Sequence, residues 1–189
     1  MMRKLQFPLI LILGAALGAS GWARNSPQSR ANLAELKRGI ELFESVLNQS
    51  LAQTFGGPFE TLNRTRGAYL PGYGVVFSFE LNLTPLQDLG PFSQAPTPKE
   101  EKTQREEESR RRERAISVVE QTLGDYGQSL SMLGAGETVG IVIHTVAAHP
   151  GKIERSTIVL SADKNLLVAR LNHSIDQAHF VQKLAKTEY

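Results

Sequence analysis

Two stretches of the chain alternate apolar and polar residues as β-strands do. The segments ahead of each repeat apolar residues every three or four positions, as helices do. The first alternating stretch lies within Gly67–Leu83. Val75, Phe77, Phe79 and Leu81 share one side, and that side is predicted to face a core. Val76, Ser78, Glu80 and Asn82 share the other, which turns polar after Val76 and is expected to meet solvent or a sheet edge. Leu70-Pro71-Gly72-Tyr73 suits a type II turn, with Pro second and Gly third, and Gly74 allows a bend as the strand begins. Arg66–Leu70 reads as a short strand before this turn, and 58–66 as a loop or irregular extended segment.

The helix ahead of it is predicted over Ala31–Thr54. Leu33, Leu36, Ile40, Phe43, Leu47 and Leu51 form its apolar stripe, and Gly56-Gly57-Pro58 stops it. Pro85, Pro91, Pro96 and Pro98 exclude regular structure over Thr84–Pro98, where Leu86, Leu89 and Phe92 are expected to latch the loop to the core. Thr97 or Pro98 opens a second helix. Its first half, 99–114, carries seven basic and six acidic residues and is expected to be a solvated, charged arm. Glu106–Arg110, Glu107–Arg111 and Glu108–Arg112 have the favourable (i, i+4) order. In the second half Ile116, Val119, Leu123, Tyr126, Leu130 and Leu133 make a coiled-coil-like stripe, too short for a coiled coil and so read as core-facing; Gly124 and Gly127 are expected to kink it.

Gly134-Ala135-Gly136 breaks that helix, and Thr138–Ala147 is the second strong strand. A turn at His149–Lys152 leads to a third, Ile153–Ser161. Lys164–Leu171 reads as a helix capped by Ser161 or Asp163 in preference to a hairpin through Ala162–Asn165. Ser174 then caps a last helix, Ile175–Lys186. The order predicts one α+β domain over 31–189. Its small mixed sheet has three to four strands, those starting near Val75 and Thr138 lie side by side, and helices pack on one face.

Residues 1–23 change the picture by standing outside this fold. Arg3-Lys4, the apolar run Phe7–Ala19, and Gly21 and Ala23 at the −3 and −1 positions make a signal peptide, with cleavage expected after Ala23. The run is short for a membrane span, so membrane attachment is expected only if it is retained. Residues 24–30 read as a disordered lead-in. The chain has no cysteine, which excludes disulfides, thiol catalysis, Cys-ligated zinc and a lipidated-Cys anchor. Export without cysteine points to a bacterial periplasm or cell envelope. In that setting the Asn-X-Ser/Thr matches at Asn48, Asn63, Asn82 and Asn172 are fortuitous. Of 21 basic residues, loss of Arg3 and Lys4 leaves 19 against 19 acidic ones. That balance argues against nucleic acid as a partner.

Candidate chemistry is sparse. There is no Gly-X-Ser-X-Gly elbow, and Gly134-Ala135-Gly136 stands between helix and strand, the reverse of a dinucleotide fingerprint. His173, Asp176 and His179 spread over too wide an arc for a metal, and no cofactor is expected. Two surfaces are candidates. Arg110, Arg111, Arg112 and Arg114 could dock a protein partner or a second copy through the charged helix. The Pro71–Gly74 loop, with Arg66, Tyr69, Tyr73 and His144, could contact a ligand, although a tight turn with a packed aromatic is the preferred reading. The expectation is a non-enzymatic interaction or structural module of the envelope. The alternative is a periplasmic hydrolase or ligand-binding domain in which Tyr73, His144 and an acid such as Glu80 or Asp125 converge.

Overall fold

The computed structural model describes residues 27–56, 61–84, 96–149 and 151–189, with side chains from Asn32 onward in the first segment. The expected signal segment 1–23, residues 24–26, Gly57-Pro58 of the expected stop, the expected latch at Leu86, Leu89 and Phe92, and Pro150 lie outside the described residues. Among those described are four helices, α1 Pro27–Thr54, α2 Pro98–Tyr126, α3 Lys164–Leu171 and α4 Gln177–Lys183, with a short 3-10 turn at Gly127–Leu130. Five strands, β1 Thr61–Leu70, β2 Gly74–Asn82, β3 Thr138–His149, β4 Lys152–Asp163 and β5 Ala185–Glu188, form one mixed sheet in the order β1-β2-β3-β4-β5. The pairing is antiparallel except between β2 and β3, which run parallel with Val75 beside Val139 and Phe79 beside Ile143. The two alternating stretches are therefore neighbours, as their pattern predicts. No helix among the described residues is long and apolar enough to cross a membrane.

Alternation sets the core. Val75, Phe77, Phe79 and Leu81 of β2, Val139, Ile141 and Ile143 of β3, and Ile158 and Leu160 of β4 are buried on one side. Against them lie Phe43, Leu47 and Leu51 of α1 and Ile116, Val119 and Leu123 of α2. On the opposite side Ala68, Val76, Ser78, Glu80, Val142, His144, Val146 and Val159 stay partly or wholly exposed. The β1–β2 connection is the expected turn: Gly72 has φ +82°, and the Tyr73 amide donates to the Leu70 carbonyl at 3.0 Å.

The two sheet edges differ. The outward backbone groups of β1 are occupied by side chains from α1. The Thr65 amide donates to Asn48 Oδ1 at 2.8 Å, Asn48 Nδ2 donates back to the Thr65 carbonyl at 3.4 Å, and the Gly67 amide donates to Glu44 Oε1 at 2.6 Å. An edge satisfied in this way has fewer free groups to recruit another strand. At the other edge β5 covers β4 only from Ile158 to Ser161, with Tyr189 pairing to Thr157 beyond it.

Several expectations need correction. The sheet has five strands, not three to four. β1 begins at Thr61, within the segment expected to be irregular, because an edge strand flanked by solvent tolerates Asn63, Arg64 and Arg66. Helix α1 is already formed at Pro27, so 27–30 belong to it rather than to a disordered lead-in. Leu33, on the predicted stripe, is 49 % exposed. The second helix ends at Tyr126, which is 45 % exposed, because the chain tightens into the 3-10 turn at Gly127 before Leu130 and Leu133 turn back into the core. The last helix is capped by Asp176, whose carboxylate accepts from the His179 amide at 2.8 Å, and it gives way to β5 after Lys183.

The ends of these elements carry pH sensitivity. The Thr97 amide donates to Glu100 in a capping box, the His179 amide and ring to Asp176, and Lys152 to Glu154; each contact holds the carboxyl below its ordinary range. A depressed folded pKa contributes stability that is present above the unfolded pKa and is lost as pH falls through the folded one. Burial moves Glu120 the other way, against the attraction of Lys186. Its contribution is present at acid pH and lost as pH rises. Thermal melts should therefore show Glu120→Gln melting above the parent chain at about pH 7 and level with it once Glu120 is protonated below about pH 4. A parent chain that melts higher at neutral pH would mean that the Lys186 attraction outweighs burial.

Candidate functional site

The uncovered side of the sheet carries a groove of about 610 Å³ lined by Leu62, Asn63, Arg64 and Arg66 of β1, Ser78, Phe79 and Glu80 of β2, and His144 of β3. A bulge shapes its β1 wall. The step from Asn63 to Arg66 runs opposite the shorter step from Glu80 to Ser78, so one extra residue is inserted. That brings Asn63 to the side of Glu80, and Asn63 Nδ2 donates to Glu80 Oε2 at 2.9 Å. Arg64 makes no ion pair among the described residues, and the nearest carboxylate oxygen to Arg66 is that of Glu44 at 4.0 Å, on α1. His144 stands beside Glu80 in the β2–β3 register, but its Nδ1 lies 3.2 Å from Thr157 Oγ1. Its Nε2 has no hydrogen-bond partner among the described residues.

Of the loop residues singled out from sequence, the structure brings Arg66 and His144 together and separates the two tyrosines. Tyr73 crosses the backbone at Gly140: a Cβ built there would sit 3.1 Å from the phenol oxygen. Gly140 is four residues before His144 on β3, roughly 13 Å away along an extended strand. Tyr69 faces the helices and donates to Glu137 Oε1 at 2.7 Å. That bond raises the phenol pKa and lowers that of Glu137, whose other oxygen accepts the Gly134 amide at 2.6 Å. Tyr69 therefore ties the β1–β2 hairpin to the turn that launches β3. Asp125 is remote from His144 in the contacts it makes, pairing with Arg170 at 3.3 Å. Asn63 and Arg64 escaped the sequence reading because their segment lacks an apolar rhythm. The polar side of β2, Ser78 and Glu80, was the available signal for this face.

The four candidate arginines of α2, Arg110, Arg111, Arg112 and Arg114, do not form one patch. Arg110 pairs with Glu107 at 2.6 Å along the helix, Arg112 pairs with Glu188 of β5, Arg111 is half-buried, and Arg114 is exposed. From Gln104 onward the charged half is anchored to the rest of the fold, while Lys99–Thr103 stay exposed as expected. Glu108, buried at 9 % exposure, accepts from Thr84 Oγ1 at 3.3 Å and Gln104 Nε2 at 3.1 Å and lies 3.6 Å from His149 Nε2. Thr84 Oγ1 in turn accepts the Ala148 amide at 2.9 Å, and Gln104 Nε2 reaches the Ala148 carbonyl at 3.3 Å. This network pins α2 to the far ends of β2 and β3. The expected Glu108–Arg112 pairing gives way to these longer-range partners, and Arg110 pairs with Glu107 instead of Glu106.

A buried carboxylate with three polar neighbours leaves them all wanting when removed, so Glu108→Ala should lower unfolding stability by about 2–3 kcal/mol. Glu108→Gln, which keeps an acceptor, should lose roughly half as much. Urea denaturation checks both. Equal, near-zero losses would mean that the network is solvated in solution.

Among the described residues no cluster of His, Asp and Glu is arranged to hold a metal. Asp176 and His179 are bonded to each other at 2.9 Å within the α4 cap. No family model matches the chain, nor does any curated protein or solved structure.

Proposed function

We propose that this chain is a non-enzymatic binding module of an exported compartment, the periplasm or cell envelope, and that it engages its ligand on the uncovered face of the sheet. The observation that carries this reading is the one-sided sheet: helices bury one face, while the other keeps a formed groove in which Arg64, Arg66, Ser78 and His144 converge. The groups an acyl-transfer site would need to join are spent on other partners, Glu80 on Asn63 and His144 Nδ1 on Thr157, which favours binding over catalysis. Export rests on the leader at 1–23, and cleavage after Ala23 would make Arg24 the mature N-terminus.

Amide hydrogen exchange of the mature chain, alone and with the soluble and membrane fractions of that compartment, tests the reading. Slower exchange confined to β1–β4 is the expected result. Unchanged exchange would overturn the binding role, and turnover of an ester, peptide or glycan probe that is lost in His144→Ala would favour a hydrolase. Mass spectrometry of the N-terminus in fractionated cells checks the compartment independently.

A further inference from the structure

We propose that the groove on the uncovered face binds a phosphate-bearing ligand, an inference that rests on the binding role above and names its chemistry. The charges are unbalanced in one direction. Arg64 is unpaired among the described residues, and Arg66, with a side chain 81 % exposed, has only Glu44 at 4.0 Å. Against these two guanidinium groups the groove sets one carboxylate, Glu80, and one of its oxygens already accepts from Asn63. The excess is a single positive charge, the complement of a phosphodiester.

Geometry points the same way. Arg64 and Arg66 both line the groove, and two residues of chain separate their Cα atoms by at most roughly 7 Å, within reach of one shared group for side chains as long as arginine's. A carboxylate offers two oxygens and satisfies one guanidinium fork. A phosphate has enough acceptor oxygens to take hydrogen bonds from both arginines and from a hydroxyl as well. Ser78 supplies that hydroxyl from the neighbouring strand, and the His144 ring completes the lining. The volume, about 610 Å³, lies inside the range of roughly 300–1,000 Å³ usual for small-molecule sites. The phosphate could belong to a soluble phosphodiester or to a lipid headgroup at a membrane surface; the groove reads the same group in both.

The experiment has two arms on the mature chain. In the first, glycerophosphoglycerol is titrated and followed by NMR at Ser78 and His144. In the second, sedimentation with phosphatidylglycerol vesicles is compared with sedimentation with vesicles of a neutral glycolipid. Arg64→Gln and Arg66→Gln should each weaken binding about tenfold. Arg155→Gln, on the same face but outside the groove, should leave it within about twofold, and thermal melts check that all three variants stay folded. Binding in the first arm identifies a soluble source; binding in the second arm alone identifies a lipid. Absence of binding in both arms, an equal loss in Arg155→Gln, or succinate bound as tightly as the phosphodiester would overturn the proposal. Slower exchange over β1–β4 with cell fractions would in that case leave the binding role standing with a different ligand.

Discussion

Phe77→Ala is expected to lower unfolding stability by about 3–5 kcal/mol, the largest loss for a side-chain truncation in this molecule. Phe77 is fully buried, and its ring lies 4.6 Å from that of Phe43, tilted by 38°, so it joins β2 to α1. Its neighbour across the β1–β2 ladder is Gly67, where even a Cβ would come within 2.5 Å of the Phe77 ring. The ring therefore fills space that β1 leaves empty, and no side chain at position 67 can collapse into the void. Cavities that cannot relax lie at the costly end of the range. Urea denaturation should show the loss, with a fall in melting temperature on the order of 10 °C. Val76→Ala, one residue away on the uncovered face, should stay within about 1 kcal/mol of the parent. Comparable losses at both positions would mean that the sheet is covered on both sides.

Gly74→Ala is the second large effect, for a different reason. Gly74 has φ +127°, a conformation that side-chain-bearing residues rarely adopt, and a Cβ there would lie 2.0 Å from the Thr138 carbonyl oxygen. The strain alone costs about 1–3 kcal/mol. Clearing the clash would also break the bond from the Thr138 amide to the Tyr73 carbonyl, now 2.8 Å, at the point where β2 and β3 begin to pair. Together these should remove about 3–4 kcal/mol. Gly72→Ala separates the two terms. Its φ is +82° but nothing lies within 4 Å of the added carbon, so only the strain is felt. If Gly72→Ala proved as damaging as Gly74→Ala, the close approach of β3 would not matter.

These positions also show what the sequence makes legible. β2 and β3 could be read because each buries one face, so that a period of two is written into their residues, and the Pro71-Gly72 turn announced itself by the residues it requires. Lys164–Leu171 is helical because Asp163 caps it, its carboxylate accepting from the Leu166 amide at 2.7 Å. β5 left no trace. Ala185–Glu188 is exposed along its length, and its strand character comes wholly from the ladder that β4 offers. The buried carboxylate of Glu108 was equally hidden. Within a run of charges nothing distinguishes it, and the groups that permit its burial, Thr84 and His149, stand far off in the chain. Of the residues singled out for a ligand, Arg66 and His144 line the same groove, Tyr69 ties β1 to Glu137, and Tyr73 lies over Gly140. Arg64 and Asn63 gain their meaning from a bulge, which depends on how two strands meet rather than on either one alone.

Sheet order follows chain order, which bears on how fast the domain folds. Both hairpins, β1–β2 and β3–β4, close through tight turns and can form early. The parallel seam between β2 and β3 must wait until all of α2 has been looped out and returned, so the entropic barrier is concentrated there. Phe77 lies on that seam, and its truncation should slow the refolding arm of a chevron rather than only steepen escape from the native state.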